Sequence, residues 1–338
     1  MNSILADGSP GKRSSDGERY PALSDRHGWV SYVFIAAGFL ALVPILSTHR
    51  VTDFMIFCIF ALSFDVLYGF MGRLSFGHIL YLGTGAYAAG LFIRYVDKNP
   101  VAAILLGVAA AVATGMIIGP IVVRTTGACF ALINLAFNQV GFFLVLSPLR
   151  EFTNGEDGLG IHAAQIGFFN TSSPSVMFWF VFACLLAVFY LLRQLTRSPY
   201  GLMVRCINEN ESRVRFLGYN TFFYKWVTFV IASGVAGLAG TLTTLNYKYV
   251  NPNVMDVHSN VGVIFACLIG GAGNLYGALL GGVIYMIISN TLPRYIQSWE
   301  LFLGVSLLLI VFKFRQGVWG YLGDLRSYYQ RKREQGKS

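Results

Sequence analysis

Charged residues are scarce in this sequence: Asp, Glu, Lys and Arg make up 12% of its 338 residues, whereas hydrophobic residues make up 55%. The mean hydropathy of +0.58 is far above that of a soluble globular chain. The alternating ten-residue pattern of an outer-membrane barrel is missing, while hydrophobic runs of about 20 residues are long enough to cross a bilayer as helices. These features exclude a soluble globular protein. They predict an all-α, polytopic membrane helix bundle with about ten transmembrane helices.

Paired cysteines, clustered histidines and a phosphate-binding loop are also missing. The five cysteines show no paired spacing, so the sequence indicates neither a disulfide framework nor a metal site. The glycine-rich run 270–282 is not followed by Gly-Lys-Ser/Thr and continues into an apolar segment, so it does not predict a nucleotide site. We therefore expect no cofactor, no metal and no ATP hydrolysis in this chain. An integral membrane enzyme is disfavoured because no paired acidic motif or Ser, His and Asp set is placed at one depth.

Apolar runs occupy most of the chain between two polar ends. The sequence predicts a disordered cytoplasmic tail at 1–28, a transmembrane domain over 29–314 and a basic cytoplasmic tail at 315–338. The runs are 29–47, 51–70, 73–90, 101–123, 128–146, 176–192, 226–245, 259–271, 277–291 and 301–314. The runs 259–271 and 277–291 are short for full spans, which predicts broken or re-entrant helices or extension into the polar flanks.

The net charge of +9 is distributed unevenly, and this favours a membrane orientation over binding to nucleic acid. If both termini and the loop 193–225 lie in the cytoplasm, 19 of the 25 Lys and Arg residues lie on that side. Cytoplasmic loops of membrane proteins carry such an excess. We therefore predict a multi-pass protein in a lipid bilayer with both termini cytoplasmic, and the loop 148–175 on the opposite side.

The loop 193–225 is the longest polar interruption between hydrophobic runs. Ser198 suits an N-cap, Pro199 suits the first helical position, and Gly218 suits a left-handed residue at the end of a helix. Apolar residues recur at helical spacing and charged residues fill the other faces. The apolar set is Met203, Ile207, Val214 and Leu217, and the charged set is Arg205, Glu209, Glu211, Arg213 and Arg215. The pattern predicts one amphipathic helix or two short ones, which either rest on lipid headgroups or dock in a groove of a partner protein.

Several polar residues lie inside apolar runs, where their cost makes them candidates for function. Asp65 has three interpretations: a carboxylate with a role in function, a structural acid paired with Arg73 or His78, or part of a short proton relay. Asn134 and Asn138 are four residues apart and so share a helix face, where they form either interhelical hydrogen bonds or a polar stripe along a substrate path. The candidate path residues are Asp65, His78, Asn134, Asn138 and Gln139.

Four segments carry motifs that resemble one family. They are SPYGLMVRCINENESRVRFLGYN at 198–220, ALSFDVLYGFMGRLSFGHILYLGTGAYAAG at 61–90, TNGEDGL at 153–159 and GGAGNLYGALLGG at 270–282. Together they resemble the permeases of branched-chain amino acid ABC transporters, the LivM-like family. The second segment is similar to that family's GxxGxxSxGH motif followed by GxGAY. The third resembles TGGxDGL, with Asn154 replacing a glycine. The last has Asn274 and Ala278 where Thr and Pro are more usual.

The resemblance implies a permease like those of type II ABC importers, in a bacterial inner membrane. The implied partners are a second homologous permease subunit, two cytoplasmic ATPase subunits that bind the ATP, and a periplasmic substrate-binding protein. The segment at 198–220 resembles the coupling helix that docks on an ATPase, and the loop 148–175 is expected to face the binding protein. The expected coupling residues are Arg205, Glu209, Glu211 and Gly218, and the expected loop residues are Thr153, Asp157 and Gly158.

The resemblance implies transport of branched-chain or other hydrophobic amino acids. Permeases for urea, short amides or small aromatic acids belong to the same family and are the alternative within it. A stand-alone secondary transporter is the alternative outside it, because the glycine-rich segments near Gly77 and Gly271 are a candidate pair of inverted repeats.

Overall fold

The computed structural model describes residues 28–44, 46–161, 165–166, 169–170, 173–295, 301 and 304–305. The predicted tails, apart from Gly28, and most of the last predicted span lie outside the described residues. The helices are α1 Gly28–Leu42, α2 Thr48–Asp65, α3 Ile79–Tyr95, α4 Pro100–Val122, α5 Ala128–Leu146, α6 Arg150–Thr153, α7 Pro174–Arg197, α8 Pro199–Phe216, α9 Thr221–Tyr247, α10 Val257–Gly270 and α11 Leu275–Thr291. A π turn, Val66–Phe70, extends α2, and 3₁₀ turns lie at Gly155–Asp157, Pro252–Met255 and Leu292–Arg294.

Four strands of two residues each interrupt the helical pattern. They are β1 Leu159–Gly160, β2 Gln165–Ile166, β3 Phe169–Asn170 and β4 Tyr249–Val250. β1 pairs with β4 and β2 pairs with β3, both antiparallel. The β1–β4 pair ties the loop after α5 to the end of α9.

Six of the described helices are long and apolar enough to cross a membrane: α2 with its π turn, α4, α5, α7, α9, and α11 with its 3₁₀ turn. The predicted membrane helix bundle is thus confirmed in its main feature, but six is fewer than the predicted number. Helices α1, α3 and α10 have 15, 17 and 14 residues. At a rise of about 1.5 Å per residue they are about 21 to 26 Å long, which is short for an independent span.

Helices α2 and α9 form the centre of the bundle. The apolar window of α2 is 83% buried and that of α9 is 67% buried, whereas α4 and α5 reach only 22% and 28%. Helix α3 packs between α4 and α9, where the backbones of Gly85 and Gly237 come into close contact. Small residues allow such approach between membrane helices. The apolar outer surfaces of α4 and α5 are therefore left for lipid or another chain.

Helix α8 begins and ends as its sequence predicts. The Ser198 hydroxyl oxygen accepts a hydrogen bond of 3.3 Å from the Gly201 N–H, and Pro199 occupies the first turn. Gly218 follows the helix with φ +88°, a left-handed conformation that glycine adopts without strain. The capping signals are local, so they can be read from the sequence.

Helix α8 consists of two short helices joined at Asn210. Asn210 has an extended backbone with φ −157° and ψ 92°, and its side-chain oxygen accepts a hydrogen bond of 2.9 Å from the Arg213 N–H. It therefore serves as an N-cap for the second piece. Ile207 and Val214 are buried against this chain itself rather than left on the surface for lipid or a partner, whereas Leu217 is 72% exposed because it lies beyond the last helical turn.

The bundle has two distinct ends, which we call the α8 end and the strand end, after the β1–β4 pair. Arg73 pairs with Glu211 of α8, and Arg124 lies 5.5 Å from the ring centroid of Phe222 at the start of α9. Arg94 instead donates a hydrogen bond of 2.8 Å to the Gly160 carbonyl at the strand end. Arg73 and Arg124 thus lie at one end and Arg94 at the other.

Candidate functional site

Asp65, at the end of α2, connects the two glycine-rich segments of the chain. Its Oδ1 atom accepts a hydrogen bond of 2.8 Å from the Gly273 N–H. Gly69, in the π turn, lies so close that a Cβ atom there would overlap the Gly273 backbone. Only glycine fits this contact. The early motif and the late glycine-rich run therefore meet at one crossing.

The pairing predicted for Asp65 is wrong. Arg73 Nη2 instead lies 3.0 Å from a carboxylate oxygen of Glu211, and His78 Nε2 lies 3.0 Å from the Ser63 hydroxyl. The reason is that the chain leaves the helix after the π turn, so Arg73 and His78 do not continue the helical face of Asp65.

Residues 71–78, which we call the break, run without helical structure from the α8 end, where Arg73 lies, into the bundle. Ser75 and His78 in the break are fully buried. Backbone groups that are outside a helix at membrane depth need other partners. Asn260 of α10 supplies two: its Oδ1 accepts a hydrogen bond of 3.2 Å from the Ile79 N–H, and its Nδ2 donates one of 3.1 Å to the Ser75 carbonyl. Asn260 thus holds the break in place.

The break adjoins two asparagines of α5. Asn134 and Asn138 are both buried, as their spacing predicts, whereas Gln139 is exposed. Asn138 Nδ2 donates a hydrogen bond of 3.1 Å to the Met255 carbonyl, and Asn134 Nδ2 donates one of 3.0 Å to the Phe130 carbonyl within α5. Asn138 therefore fits the interpretation in which the amide forms a hydrogen bond between α5 and another element, here the 3₁₀ turn Pro252–Met255. The role of all three residues in a substrate path stays a prediction.

Polar atoms with unused hydrogen-bonding capacity surround the break. The buried atoms that have no hydrogen-bond partner in the described part of the chain include two in the break, Ser75 Oγ and His78 Nδ1, and two in α5, Asn134 Oδ1 and Asn138 Oδ1. The His78 ring packs nearly parallel to that of Phe60, with centroids 5.6 Å apart. Buried polar atoms are normally paired, and polar residues in membrane helices usually face the bundle interior or a water-filled cavity. The break therefore has the chemistry of a polar lining.

Two cavities flank the break. The α8-end cavity of about 340 Å³ is lined by Gly72, Arg73 and Phe76, together with the start of α5. The strand-end cavity of about 360 Å³ is lined by Phe60, Ile79 and residues next to β4. Phe76 and Ile79 are three residues apart. The last residues of the break and the first residue of α3 therefore lie next to both cavities.

Glu211 is the centre of an ion cluster that joins α8, α9 and the break. Its carboxylate accepts hydrogen bonds of 2.6 Å from Lys225, 3.0 Å from Arg73, 3.2 Å from the Thr221 hydroxyl and 3.3 Å from Arg215. Burial raises the pKa of Glu211, but the hydrogen bond and charge of Lys225, with Thr221 and Arg73, outweigh it and hold the pKa below its ordinary value. This cluster is a direct connection from α8 to the break, beside that of the Asn208 side chain with Gly72.

The predicted coupling residues divide into two groups. Arg205 stacks over the Phe70 ring of the π turn at 4.8 Å, and Glu211 binds the break, so both contact the bundle itself. Glu209 and Gly218 are exposed. The adjoining Phe216, an apolar residue, is 92% exposed. Their role in coupling stays a prediction.

The predicted loop residues also divide. Thr153 is buried, and its hydroxyl donates a hydrogen bond of 2.7 Å to the Val145 carbonyl. Gly158 is buried with φ +71°, and the adjacent Asp157 is exposed while its carbonyl accepts a hydrogen bond of 2.5 Å from the Tyr249 hydroxyl. Thr153 and Gly158 therefore shape the loop, and the Asp157 side chain is available at its surface.

Two residues at the site were missed from the sequence. Asn260 is a lone amide in a short apolar run, and that signal resembles the one that identified Asn138. Lys225 lies at the start of α9 with only 6% of its side chain exposed. A lysine beside a transmembrane span is ordinarily interpreted as an exposed charge that sets the orientation of the protein in the membrane. Within the described ranges, no three His, Cys, Asp or Glu side chains lie together in a way that could hold a metal ion.

The fold is that of a multi-pass membrane protein in which a non-helical segment, the break, carries buried polar side chains. The model of the family described as "Branched-chain amino acid transport system / permease component" matches residues 48–313, which is well over half of the chain. The chain therefore belongs to this family, and it is a transport permease component rather than an enzyme.

Curated relatives agree with the family match. The LivM permease protein of Salmonella typhimurium is 25% identical over 310 residues, which cover 84% of this chain and 72% of the relative. LivM of Escherichia coli is 26% identical over 290 residues, covering 77% and 67%. LivH of Escherichia coli is 24% identical over 261 residues, covering 72% and 83%. All three are named as permease proteins of high-affinity branched-chain amino acid transport systems. No solved structure matches the chain.

Proposed function

We propose that this chain is the transmembrane permease subunit of an ATP-driven ABC importer for branched-chain or other hydrophobic amino acids. Family membership supports the class of protein. The observation that carries the proposal is the non-helical break, in which Ser75 and His78 are buried and whose end lies next to two cavities. Non-helical backbone at membrane depth is tolerated where it is buried or lines a cavity, and broken helices form the solute sites of many transporters.

The proposed setting is a bacterial inner membrane, with about ten transmembrane helices of the type II importer class and both termini in the cytoplasm. The α8 end faces the cytoplasm in this arrangement, and the strand end faces the periplasm. The position of Arg73 and Arg124 at the α8 end supports this orientation because cytoplasmic segments are enriched in basic residues.

The proposed partners are a second homologous permease, two ATPase subunits and a periplasmic binding protein. Exposed Phe216 and Glu209 support docking of α8 on an ATPase, which binds the ATP so that this chain needs no cofactor. Exposed Asp157 supports contact of the strand end with the binding protein.

The proposed mechanism uses the Glu211 cluster as the mechanical link. Closure of the ATPases upon ATP binding pushes α8, and the pairing of Glu211 with Arg73 carries the displacement to the break. A shift of the break opens one cavity as it closes the other, which is a gating form of alternating access. The solute then passes between the cavities beside His78 and Asn138.

Purification from the native membrane in mild detergent tests the proposal. We expect a second permease and two ATPases to co-purify and to hydrolyse ATP. Phe216→Asp should release the ATPases, whereas Tyr295→Asp, at a residue that is 82% exposed, should retain them. A chain that purifies alone and transports without ATP would contradict the proposal and favour a secondary transporter.

A further inference from the structure

We propose that the strand-end cavity is a binding site for a small solute that carries an ammonium group and an apolar side chain, and that Asp53 recognises the ammonium group. This proposal adds a solute-binding site to the proposed function, and it rests on that function only for the direction of transport. Its geometry and charge are independent of the partners.

A carboxyl group lines the strand-end cavity. Among the described residues that line it, Asp53 is the one charged side chain. Asn246 Nδ2 donates a hydrogen bond of 2.6 Å to Asp53 Oδ1, and His49 Nδ1 lies 3.4 Å from Oδ2. Tyr247 is a third hydrogen-bond partner of this carboxyl group, and the three contacts fix its orientation. Because a carboxylate has about four acceptor positions, it keeps capacity for a cation in the cavity.

The remaining lining separates into a polar rim and an apolar wall. The rim contains Thr243, Tyr247, Asn251, Asn253 and Ser259. The wall contains Ile56, Phe57, Phe60, Leu82, Val254 and Met286. Such a combination of apolar walls with a few polar groups is typical of sites for small ligands.

This lining favours one class of solute over the others. The Asp53 carboxylate suits an ammonium group, the amides of Asn251 and Asn253 can donate to a carboxylate, and the wall suits an aliphatic side chain. An uncharged amide gains nothing from Asp53, and an aromatic acid without an ammonium group is repelled by it. An aliphatic α-amino acid therefore fits best.

The position of the cavity places a bound solute next to the break. Phe60 and Ile79 line the cavity, the Phe60 ring packs on His78, and the Ile79 N–H is held by Asn260. A solute in this cavity is thus one residue away from the polar atoms of the break. The site is placed to receive a solute before the break moves.

Ligand-dependent thermal stability of the purified full chain tests the site. The probes are L-leucine, isopentylamine, which lacks the carboxylate, and 4-methylpentanoate, which lacks the ammonium group. A ligand that binds only the folded state raises its unfolding temperature. We expect stabilisation by L-leucine and, more weakly, by isopentylamine, but not by 4-methylpentanoate. In Asp53→Asn the L-leucine concentration for half-maximal stabilisation should rise about 10-fold or more, the usual effect of losing a charged hydrogen-bond partner.

Two further variants keep the test decisive. Asp97→Asn removes one carboxylate from an exposed position after α3 and should leave L-leucine binding unchanged. Asp53→Glu keeps the charge and should bind L-leucine better than Asp53→Asn, even if both variants are less stable. The site is overturned if L-leucine does not stabilise the wild type, if 4-methylpentanoate stabilises it equally, or if Asp53→Asn binds like the wild type.

ATP-dependent leucine uptake by the reconstituted transporter separates this proposal from the proposed function. Uptake by the wild-type complex together with unaltered binding and uptake in Asp53→Asn would refute the site alone. Binding that depends on Asp53 in a complex that imports no amino acid would refute the importer alone.

Discussion

Replacement of Glu211 by glutamine removes the charge that joins α8, α9 and the break. The carboxylate lies 2.6 Å from Lys225 and 3.0 Å from Arg73, and only 6% and 16% of those side chains are exposed. Removing one partner of a fully buried ion pair costs about 3 to 5 kcal/mol because the other charge stays buried. The Glu211 side chain is 20% exposed, so solvent screens part of this cost and we expect a loss of about 2 to 3 kcal/mol in the free energy of unfolding.

The same variant should change the pH dependence of stability. The pKa of Glu211 in the folded chain lies below its ordinary value. A carboxylate of this kind contributes stability above its unfolded-state pKa of about 4.3, and the contribution is lost as the pH falls through the lower folded-state pKa. The wild type should therefore be more stable than E211Q at about pH 7, and the difference should shrink as the pH falls below about 4.

Thermal unfolding in detergent, followed by circular dichroism across this pH range, measures both effects. Glu209→Gln is the matched control, since it makes the same change at an exposed position two residues earlier. We expect E209Q to unfold like the wild type. Equal unfolding temperatures for E211Q and the wild type, or a difference that does not vary with pH, would refute the reasoning.

Three further substitutions test the crossing and the break. Gly69→Ala should lower the free energy of unfolding by about 1 to 3 kcal/mol because its Cβ overlaps the Gly273 backbone. The control Gly38→Ala should not, since its Cβ meets nothing within 4 Å. Equal unfolding temperatures of the two variants would argue against the crossing. Asn260→Leu leaves the Ser75 carbonyl and the Ile79 N–H unpaired and should lower the free energy of unfolding by about 2 to 6 kcal/mol. An unchanged unfolding temperature would show that these two groups have other partners. Asn138→Leu should slow solute uptake while the complex still assembles, and an unaltered uptake rate would assign Asn138 to packing alone.

Local features of the fold could be predicted from the sequence. The boundaries of α5 match the apolar run 128–146, and α8 has the predicted N-cap at Ser198 and the left-handed Gly218. The burial of Asn134 and Asn138 also follows from their spacing. Hydrophobic periodicity and capping depend on neighbours within a few residues, so one sequence contains the whole signal.

The contacts that define the candidate site could not be predicted in this way. Asp65 and Gly273 are 208 residues apart, and the Asn260 side chain caps a segment 185 residues away. No local pattern specifies which backbone N–H a buried carboxylate will meet. Arg73 and His78 lie near Asp65 in the sequence and were its expected partners, but tertiary packing pairs both with other residues.

In the proposed transporter, ATP hydrolysis by partner subunits drives an amino acid through this chain. The most direct measurement is uptake of radiolabelled L-leucine into proteoliposomes that contain the chain, its partner permease and the ATPases, with the binding protein supplied on the strand-end side. We predict uptake that requires ATP on the α8 side and falls sharply in E211Q. Uptake that proceeds without ATP, or an ATP-dependent uptake that persists when this chain is left out, would contradict the claim.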